Sequence, residues 1–261
     1  MVEAPLLQVD ALSRRFGGLQ AVDKVSFAVP AGRIVALIGP NGAGKSTIVN
    51  LLSGVLKPSA GRIVLAGRET GGLPAHAVAR LGMVRTFQNG RLMPRLSVLE
   101  NVLLGADGVC GYGFADALLR TPRLRRQETQ LRGQAMALLD ELGLAGDAAR
   151  EVGGMAYGKQ RKLEIARALM QAPSLLLLDE PAAGLNSAEA DELGRFVMGL
   201  RTRGLGILLI EHNMGVVMRL ADRIVVVNFG VKIAEGTPDE VRADDAVLEA
   251  YLGRKAAHAA V

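Results

Sequence analysis

Apolar residues along the chain fall into short runs of strand length that alternate with segments of helical spacing. Three such runs are Leu175–Leu178, Ile207–Ile210 and Ile224–Val227. Strands that alternate with helices predict a largely parallel sheet covered on both faces. No apolar run approaches the ~20 residues that a membrane-spanning helix needs. The pattern therefore predicts a globular α/β protein.

The same pattern predicts the individual elements. The predicted strands are Leu6–Phe16, Val22–Val29, Ile34–Ile38, Arg62–Leu65, Met83–Phe87, Leu175–Leu178, Gly206–Ile210, Arg223–Val227 and Val231–Glu235. The predicted helices are Lys45 to about Gly54, Gln160–Met170, Glu189–Arg203 and Met214–Leu220. Between Val98 and Leu144, leucines at helical spacing predict a mostly helical insertion with a loop at Gly105–Gly113.

Composition agrees with an ordinary globular chain. The 261 residues are 49% hydrophobic, 22% charged and 3% aromatic, which excludes disorder and collagen. The start of the chain, Met1 to Pro5, lacks the basic and apolar regions of a secretion signal. A single cysteine, Cys110, excludes an internal disulfide framework and agrees with a reducing compartment. We therefore expect a cytoplasmic protein.

Basic residues exceed acidic residues, with 31 Lys+Arg against 26 Asp+Glu and a net charge of +5. The densest basic stretch contains Arg120, Arg123, Arg125 and Arg126, with Arg132 just beyond. These arginines are either the solvated face of a helix or a surface that docks near anionic lipid headgroups. Aromatic residues suited to stacking on bases are few, so we expect no nucleic-acid partner.

A glycine-rich segment between a predicted strand and a predicted helix carries the most specific chemistry. It matches the phosphate-loop pattern at every position. Its glycines let backbone N–H groups turn toward phosphate oxygens, and the following helix directs its positive end at the same anion. Lys45 is predicted to reach the β- and γ-phosphates, and Ser46 to give Mg2+ a hydroxyl ligand. The predicted nucleotide-binding residues of this loop are Gly39, Pro40, Asn41, Gly42, Ala43, Gly44, Lys45, Ser46 and Thr47.

Two acidic residues follow the buried strand Leu175–Leu178. Because parallel sheets place ligands at the carboxyl ends of their strands, Asp179 and Glu180 are predicted to face the phosphate loop. Asp179 is expected to hold Mg2+, usually through water. Glu180 is expected to polarise the water that attacks the γ-phosphate.

In this order the motifs resemble the ATP-binding subunits of ABC transporters, from about Leu6 to Gly253. The resemblance implies an α/β P-loop NTPase core with a parallel sheet, an N-terminal antiparallel β subdomain and a helical subdomain. It implies one domain over residues 1–253, with the helical subdomain inserted at about 89–160. The sequence pattern itself places the return to the core at Gly153–Gly154. Residues 254–261 are expected to form a flexible tail.

The resemblance also gives further residues a role. Gln88 resembles the Q-loop glutamine, which touches Mg2+ or the attacking water and contacts the membrane subunit. His212 resembles the switch histidine that contacts the γ-phosphate, and Phe16 lies where the family stacks an aromatic ring on adenine. The segment in the place of the family signature, which binds the partner's nucleotide, is Ala156, Tyr157, Gly158 and Lys159. The implied catalytic residues are Glu180, His212, Lys45 and Gln88, and the implied metal ligands are Ser46, Gln88 and Asp179.

Three positions depart from the family pattern. The usual signature begins Leu-Ser-Gly-Gly-Gln, whereas this chain has Ala156 without a hydroxyl and Tyr157 in place of the first glycine. Gly158 remains, and its N–H at the start of a helix is expected to face phosphate. Asn186 replaces the usual aspartate of the D-loop and keeps a hydrogen-bonding side chain without the charge.

These departures resemble the branched-chain amino acid importers, as does the closing Gly-Thr-Pro…Ala-Tyr-Leu-Gly. That resemblance implies ATP and Mg2+ as cofactors, and a second, homologous ATPase subunit as the other half of a heterodimer. It also implies two transmembrane permease subunits and an extracytoplasmic protein that delivers Leu, Ile or Val. The chain is then expected to lie peripherally on the cytoplasmic face of the cell membrane.

Three alternatives stay open at this point. The first is the ATPase of an importer for urea, amides or other small polar solutes. The second is a soluble ABC ATPase of DNA repair or translation, although such proteins usually carry two cassettes or a long coiled coil. The third is a phosphate-loop kinase or GTPase, which would leave the signature-like segment and His212 unexplained.

Overall fold

A computed structural model describes residues 5–86, 92–108 and 122–252 of the chain. The strands are β1 (Leu7–Phe16), β2 (Leu19–Val29), β3 (Ile34–Ile38), β4 (Ala60–Leu65), β5 (Arg68–Glu69), β6 (Met83–Thr86), β7 (Leu175–Asp179), β8 (Gly206–Ile210), β9 (Arg223–Asn228) and β10 (Val231–Gly236). The helices are α1 (Lys45–Leu52), α2 (Ala75–Arg80), α3 (Val98–Leu103), α4 (Pro122–Glu141), α5 (Tyr157–Leu169), α6 (Ser187–Thr202), α7 (Met214–Leu220), α8 (Pro238–Arg242) and α9 (Asp245–Leu252). Short 3-10 helices cover Leu104–Gly108, Ala145–Asp147 and Val152–Gly154.

The larger sheet has six strands in the order β10-β9-β3-β8-β7-β6. Strand β3 pairs in parallel with β8 and β9, and β7 pairs in parallel with β8. Every residue of β3, β7 and β8 is buried, as expected where a parallel sheet is covered on both faces. Their carboxyl ends lie side by side, and the predicted site residues follow them.

The smaller sheet has the order β2-β1-β4-β5 and is antiparallel. Strands β1 and β2 form a hairpin whose last pair is Phe16 with Leu19. Strand β2 therefore begins three residues before the predicted start at Val22. Backbone pairing with β1 extends the strand beyond the apolar residues from which it was predicted. The two sheets together confirm the predicted α/β core with an antiparallel β part.

The chain divides into two compact units. The first comprises Met1–Arg85, Ser174–Ala182 and Val197–Val261, and the second comprises Thr86–Pro173 and Ala183–Phe196. Each unit has an apolar cluster of its own. The second unit is helical and contains α5, so its first stretch continues beyond the return to the core expected at Gly153–Gly154.

Several elements lie outside the sequence-based prediction. Strand β5 and helices α2, α8 and α9 are short and have no long apolar periodicity. Part of the predicted loop Gly105–Gly113 and the predicted tail at 254–261 lie outside the described residues. Within the part of the chain that the structure describes, no helix has the length and apolar character needed to cross a membrane.

Candidate active site

The glycine-rich loop joins the buried strand β3 to helix α1. Gly42 and Gly44 have φ values of 80° and 101°, which lie in the left-handed region that favours glycine. A β-carbon at Gly44 would come within 2.8 Å of the Ala21 carbonyl oxygen, so no larger residue fits there without movement. The loop is also held by the N–H of Gly230, which donates to the Ala43 carbonyl at 2.9 Å.

Lys45 is folded into this loop. Its Nζ donates to the carbonyl oxygens of Gly39, at 2.6 Å, and Pro40, at 2.9 Å. Burial lowers the pKa of Lys45, and the nearby carboxylate of Glu180 partly opposes that shift. No side chain caps the start of α1 and its first turn has no acidic residue, so the positive end of the helix can receive an anion.

The remaining loop residues differ in exposure. Asn41, Gly42 and Ser46 are exposed, whereas Gly39 and Ala43 are buried, and Pro40 and Thr47 lie between these extremes. The Ser46 hydroxyl is therefore on the accessible side of the loop. Glycine is favoured at position 44 because β2 approaches the loop most closely there.

Asp179 ends β7 and is buried. Its Oδ2 accepts a hydrogen bond from Nη2 of Arg85 at 2.6 Å, and the two side chains are only 9% and 11% exposed. Nη1 of Arg85 also donates to Oδ1 of Asn50 in α1, at 2.6 Å. The predicted metal ligand thus already faces a cation. Arg85 was missed by the sequence analysis, and the motif Arg85-Thr-Phe-Gln gives no local sign of this pairing.

Glu180 leaves the sheet beside the end of β8. Its φ of 49° is unusual for a residue with a side chain, and its N–H donates to the Ile210 carbonyl at 2.8 Å. One carboxylate oxygen lies 3.7 Å from Nδ1 of His212. His212 is largely exposed and Glu180 is partly exposed, so both groups face an accessible region. The structure therefore brings together Lys45, Glu180 and His212.

A second glutamate at this edge was also missed. Glu211 is 1% exposed, and its Oε1 accepts a hydrogen bond from the Ala182 N–H at 2.8 Å. Its Oε2 accepts from the N–H groups of His212 and Asn213 at 3.2 and 3.4 Å. Burial raises the pKa of Glu211, while the N–H donors act in the opposite direction.

The signature-like residues begin α5 in the second unit. Ala156 and Tyr157 are exposed, and Nζ of Lys159 is 2.6 Å from Oδ2 of Asp147. Gly158 is buried, and a β-carbon there would come within 2.6 Å of a carboxylate oxygen of Glu189. A larger residue at this position would therefore have to displace the carboxylate of Glu189.

Tyr157 lies against the D-loop segment of the same unit. A β-carbon on Gly184 would be 3.0 Å from the tyrosine ring, and the Arg161 guanidinium lies 4.9 Å from the ring centroid. Asn186 accepts from the N–H of Glu189 at 3.0 Å and donates its own N–H to the Glu189 carboxylate, also at 3.0 Å. This reciprocal cap explains why an amide suits the start of α6.

Of the two remaining predicted site residues, the structure describes Phe16 but not Gln88. Phe16 is 41% exposed at the end of β1, and the Arg14 guanidinium lies 4.5 Å from its ring centroid. The ring is thus available to a planar ligand on one side. Gln88 lies outside the described residues.

Two known protein families match the sequence of this chain. The sequence profile of the family described as "ABC transporter" matches residues 22–183. A second profile, "Branched-chain amino acid ATP-binding cassette transporter", matches residues 231–257. The chain belongs to the ATP-binding cassettes of ABC transporters. The cassette is therefore an ATP-binding subunit and an ATPase, as the motifs predicted.

Curated relatives match the cassette over nearly its whole length. It is 46% identical over 250 residues to BraF of Pseudomonas aeruginosa, a "high-affinity branched-chain amino acid transport ATP-binding protein", covering 95% of this chain and 98% of BraF. LivG of Escherichia coli K12, which carries the same description, is also 46% identical over 250 residues, with the same coverage of both chains. The resemblance to that subfamily is confirmed.

Solved structures confirm the fold. The ADP conformation of MJ1267, an ATP-binding cassette of an ABC transporter, has 31% identity and a TM-score of 0.84, covering 96% of this chain and 100% of MJ1267. The cbiO1 protein of Clostridium perfringens, part of the transporter complex cbiONQ, has 26% identity and a TM-score of 0.78. That match covers 98% of this chain and 97% of cbiO1.

Proposed function

We propose that this cassette is the ATP-hydrolysing subunit of an importer for the branched-chain amino acids Leu, Ile and Val. The observation that carries ATP hydrolysis is the grouping of Lys45, Glu180 and His212 beyond the carboxyl ends of β3, β7 and β8. The solute is supported by the described transport role of BraF and LivG, and by the branched-chain profile at residues 231–257.

The phosphate loop binds the nucleotide. Its N–H groups and the uncapped start of α1 receive the phosphate oxygens. Lys45 is held against the loop by two carbonyl oxygens, and it exchanges them for the β- and γ-phosphates when nucleotide enters. Phe16 stacks on adenine with the ring face that Arg14 leaves available.

Glu180 and His212 act on the γ-phosphate. Glu180 orients the attacking water and accepts its proton, as its partly exposed position at the end of β7 allows. His212 donates a hydrogen bond to the γ-phosphate, and Lys45 offsets the charge that develops there. Most of the catalysis is therefore positioning and charge stabilisation.

The donor set suits magnesium. Ser46 and Asp179 offer a hydroxyl and a carboxylate, Gln88 adds an amide oxygen, and oxygen donors are the ligands that Mg2+ prefers. When bound, Mg2+ neutralises charge on the phosphates. Oδ2 of Asp179 is 2.6 Å from Nη2 of Arg85, so Mg2+ would share this carboxylate with the guanidinium.

A second cassette completes the site. Ala156, Tyr157, Gly158 and Lys159 of each subunit face the nucleotide held by the other subunit, so ATP closes the pair and hydrolysis loosens it. The exposure of Ala156 and Tyr157 supports contact with a partner. The two cassettes are homologous and different, and they lie beneath two transmembrane permeases that receive solute from an extracytoplasmic binding protein.

The proposed arrangement places residues 1–253 in one cassette domain on the cytoplasmic face of the membrane. The helical subdomain, at about 89–160, transmits opening and closing to the permeases, and residues 254–261 form a tail. Its support is the helical second unit, with α3, α4 and α5 around one apolar cluster.

Affinity purification tests the assembly. The chain, tagged at its native locus, is isolated from detergent-solubilised membranes, and its partners are identified by mass spectrometry. We expect two multispanning proteins and a second ATPase. Deletion of the gene is expected to abolish uptake of radiolabelled leucine while leaving urea uptake unchanged.

Other results would redirect the proposal. Loss of urea or amide uptake with normal leucine uptake would make the cassette part of an importer for small polar solutes. Recovery of soluble ribosomal or nucleic-acid-binding partners alone would overturn the transport role. The assignment to ATP would survive both results because it depends on the phosphate loop.

A further inference from the structure

Glu211 joins two loops at the catalytic edge of the sheet. Asp179 in β7 is in register with Ile210 in β8, so the residues after them, Glu180 and Glu211, leave the sheet side by side. The Glu211 side chain does not reach solvent, because only 1% of the residue is exposed. Its carboxylate turns instead toward the backbone on both sides.

The two carboxylate oxygens serve different loops. Oε1 accepts from the Ala182 N–H at 2.8 Å, in the segment that follows Glu180. Oε2 accepts from the N–H of His212 at 3.2 Å and from that of Asn213 at 3.4 Å. Glu180 itself is tied to the end of β8 by its N–H, which donates to the Ile210 carbonyl at 2.8 Å. A single buried side chain thus fixes the backbone around both proposed catalytic groups.

We propose that Glu211 is a positioning residue for ATP hydrolysis, whose carboxylate sets the separation between Glu180 and His212. This inference rests on the proposed function, since it assumes that those two side chains act on the γ-phosphate. Their present separation is 3.7 Å between Oε1 and Nδ1. Because a misplacement of about 1 Å can cost roughly 100-fold in rate, a fixed separation matters to the chemistry.

The need for an ionised carboxylate follows from hydrogen-bond chemistry. A carboxylate presents two acceptor oxygens, whereas the amide of glutamine presents one acceptor and one donor. In Glu211→Gln the amide oxygen can serve the Ala182 loop or the His212 loop. The amide nitrogen, which is a donor, then faces a backbone N–H, which is also a donor, so that N–H has no acceptor. One loop is therefore released although the side chain keeps its size.

The test measures ATPase kinetics of the transporter complex purified through a tag on this chain. Glu211→Gln is expected to lower kcat at least tenfold while KM for ATP changes by less than about twofold, because phosphate binding by the loop of Lys45 is separate. In a His212→Ala background, Glu211→Gln is expected to add a smaller loss than it causes in the wild type, because only its effect through Glu180 remains. The control is Glu249→Gln, the same chemical change at an exposed position of α9, with wild-type kinetics.

Each contrary result is distinct. Wild-type kcat in Glu211→Gln overturns the inference, and so do full, multiplying losses from Glu211→Gln and His212→Ala. A fall in Tm with a parallel loss of ATP affinity overturns it as well, because Glu211 would then only support the fold. Glu211→Asp, which keeps the charge but is one methylene shorter, serves as a second variant, with the same fall in kcat expected. Failure of the wild-type complex to hydrolyse ATP would instead refute the proposed function.

Discussion

At the scale of single residues, the backbone of Glu180 is the most informative feature. A φ of 49° costs about 1–2 kcal/mol for a residue with a β-carbon. The Ile210 carbonyl holds this conformation through the N–H of Glu180, at 2.8 Å. The strained conformation directs the carboxylate toward His212 instead of along the strand.

Replacement of Glu180 by Gln tests its role as the group that activates water. Glu180→Gln preserves size and the backbone bond, so ATP affinity is expected to stay near that of the wild type. Hydrolysis is expected to fall by about 100-fold or more because the general base is lost. Nucleotide binding is measured by fluorescence and phosphate release by a coupled assay. Hydrolysis at the wild-type rate would refute the assigned role.

Replacement of Arg85 by Met tests the buried pair with Asp179. Removing one partner leaves a buried charge uncompensated, so the free energy of unfolding is expected to fall by about 3 kcal/mol. The matched control is Arg62→Met, whose pair with Glu69 is 62% and 55% exposed. That control is expected to cost less than about 1 kcal/mol. Urea denaturation measures both, and equal costs would contradict a special contribution from burial.

The residues that sequence analysis found and missed differ in one physical respect. The loop residues around Lys45 follow from local spacing, since a glycine turn and a helix start are continuous in the chain. Arg85 meets Asp179 across 94 positions, and Glu211 meets Ala182 across 29. Such pairings depend on the order of the strands in the sheet, which a local sequence pattern does not predict.

At the scale of elements, buried strands were predicted well and short helices poorly. Strands β3 and β8 have the predicted bounds because a strand buried on both faces is a continuous apolar run. Helix α8 is too short for periodicity, although its capping box of Thr237 and Glu240 is visible in the sequence. Helix α5 begins at Tyr157, three residues before the predicted start, because Gly158 weakens the local helical pattern.

Replacement by alanine is expected to have opposite effects on stability at two glycines of the second unit. Gly133 lies exposed inside α4, and no atom of the described residues is within 4 Å of a β-carbon built there, so Gly133→Ala is expected to raise the free energy of unfolding by about 0.5–1 kcal/mol. A β-carbon on Gly105 would lie 1.9 Å from the Arg167 carbonyl oxygen, so Gly105→Ala is expected to destabilise by about 1–3 kcal/mol. Thermal and urea unfolding measure both variants. Effects of the same sign would contradict the packing described for Gly105.

At the scale of the whole molecule, helix α9 brings Tyr251 close to the phosphate loop. The branched-chain profile covers residues 231–257, and this stretch includes β10, α8 and α9. Burial raises the pKa of the Tyr251 phenol, and the nearby backbone of Gly39 partly opposes that shift. The carbonyl oxygen of Gly39 also accepts a hydrogen bond from Nζ of Lys45. The segment matched by the branched-chain profile therefore lies near the phosphate loop.

Replacement of Tyr251 by Phe tests this connection. Loss of the phenol oxygen removes the polar group that lies near the Gly39 backbone, so affinity for ATP is expected to fall about 3- to 10-fold. The rate at saturating ATP is expected to stay unchanged because Glu180 and His212 are untouched. Leu248→Ala, an exposed position in the same helix, is the control and should keep wild-type affinity. An unchanged affinity in Tyr251→Phe would show that the contact does not support the loop.

The turn between β9 and β10 gives the cassette a natural place for an optical reporter. Phe229 is 84% exposed, and the next residue, Gly230, donates to the phosphate loop at Ala43, at 2.9 Å. The chain contains no tryptophan. Phe229→Trp would therefore place a single tryptophan next to Gly230, on a turn that already accommodates an aromatic ring. Its fluorescence would follow nucleotide entry in real time without a chemical label.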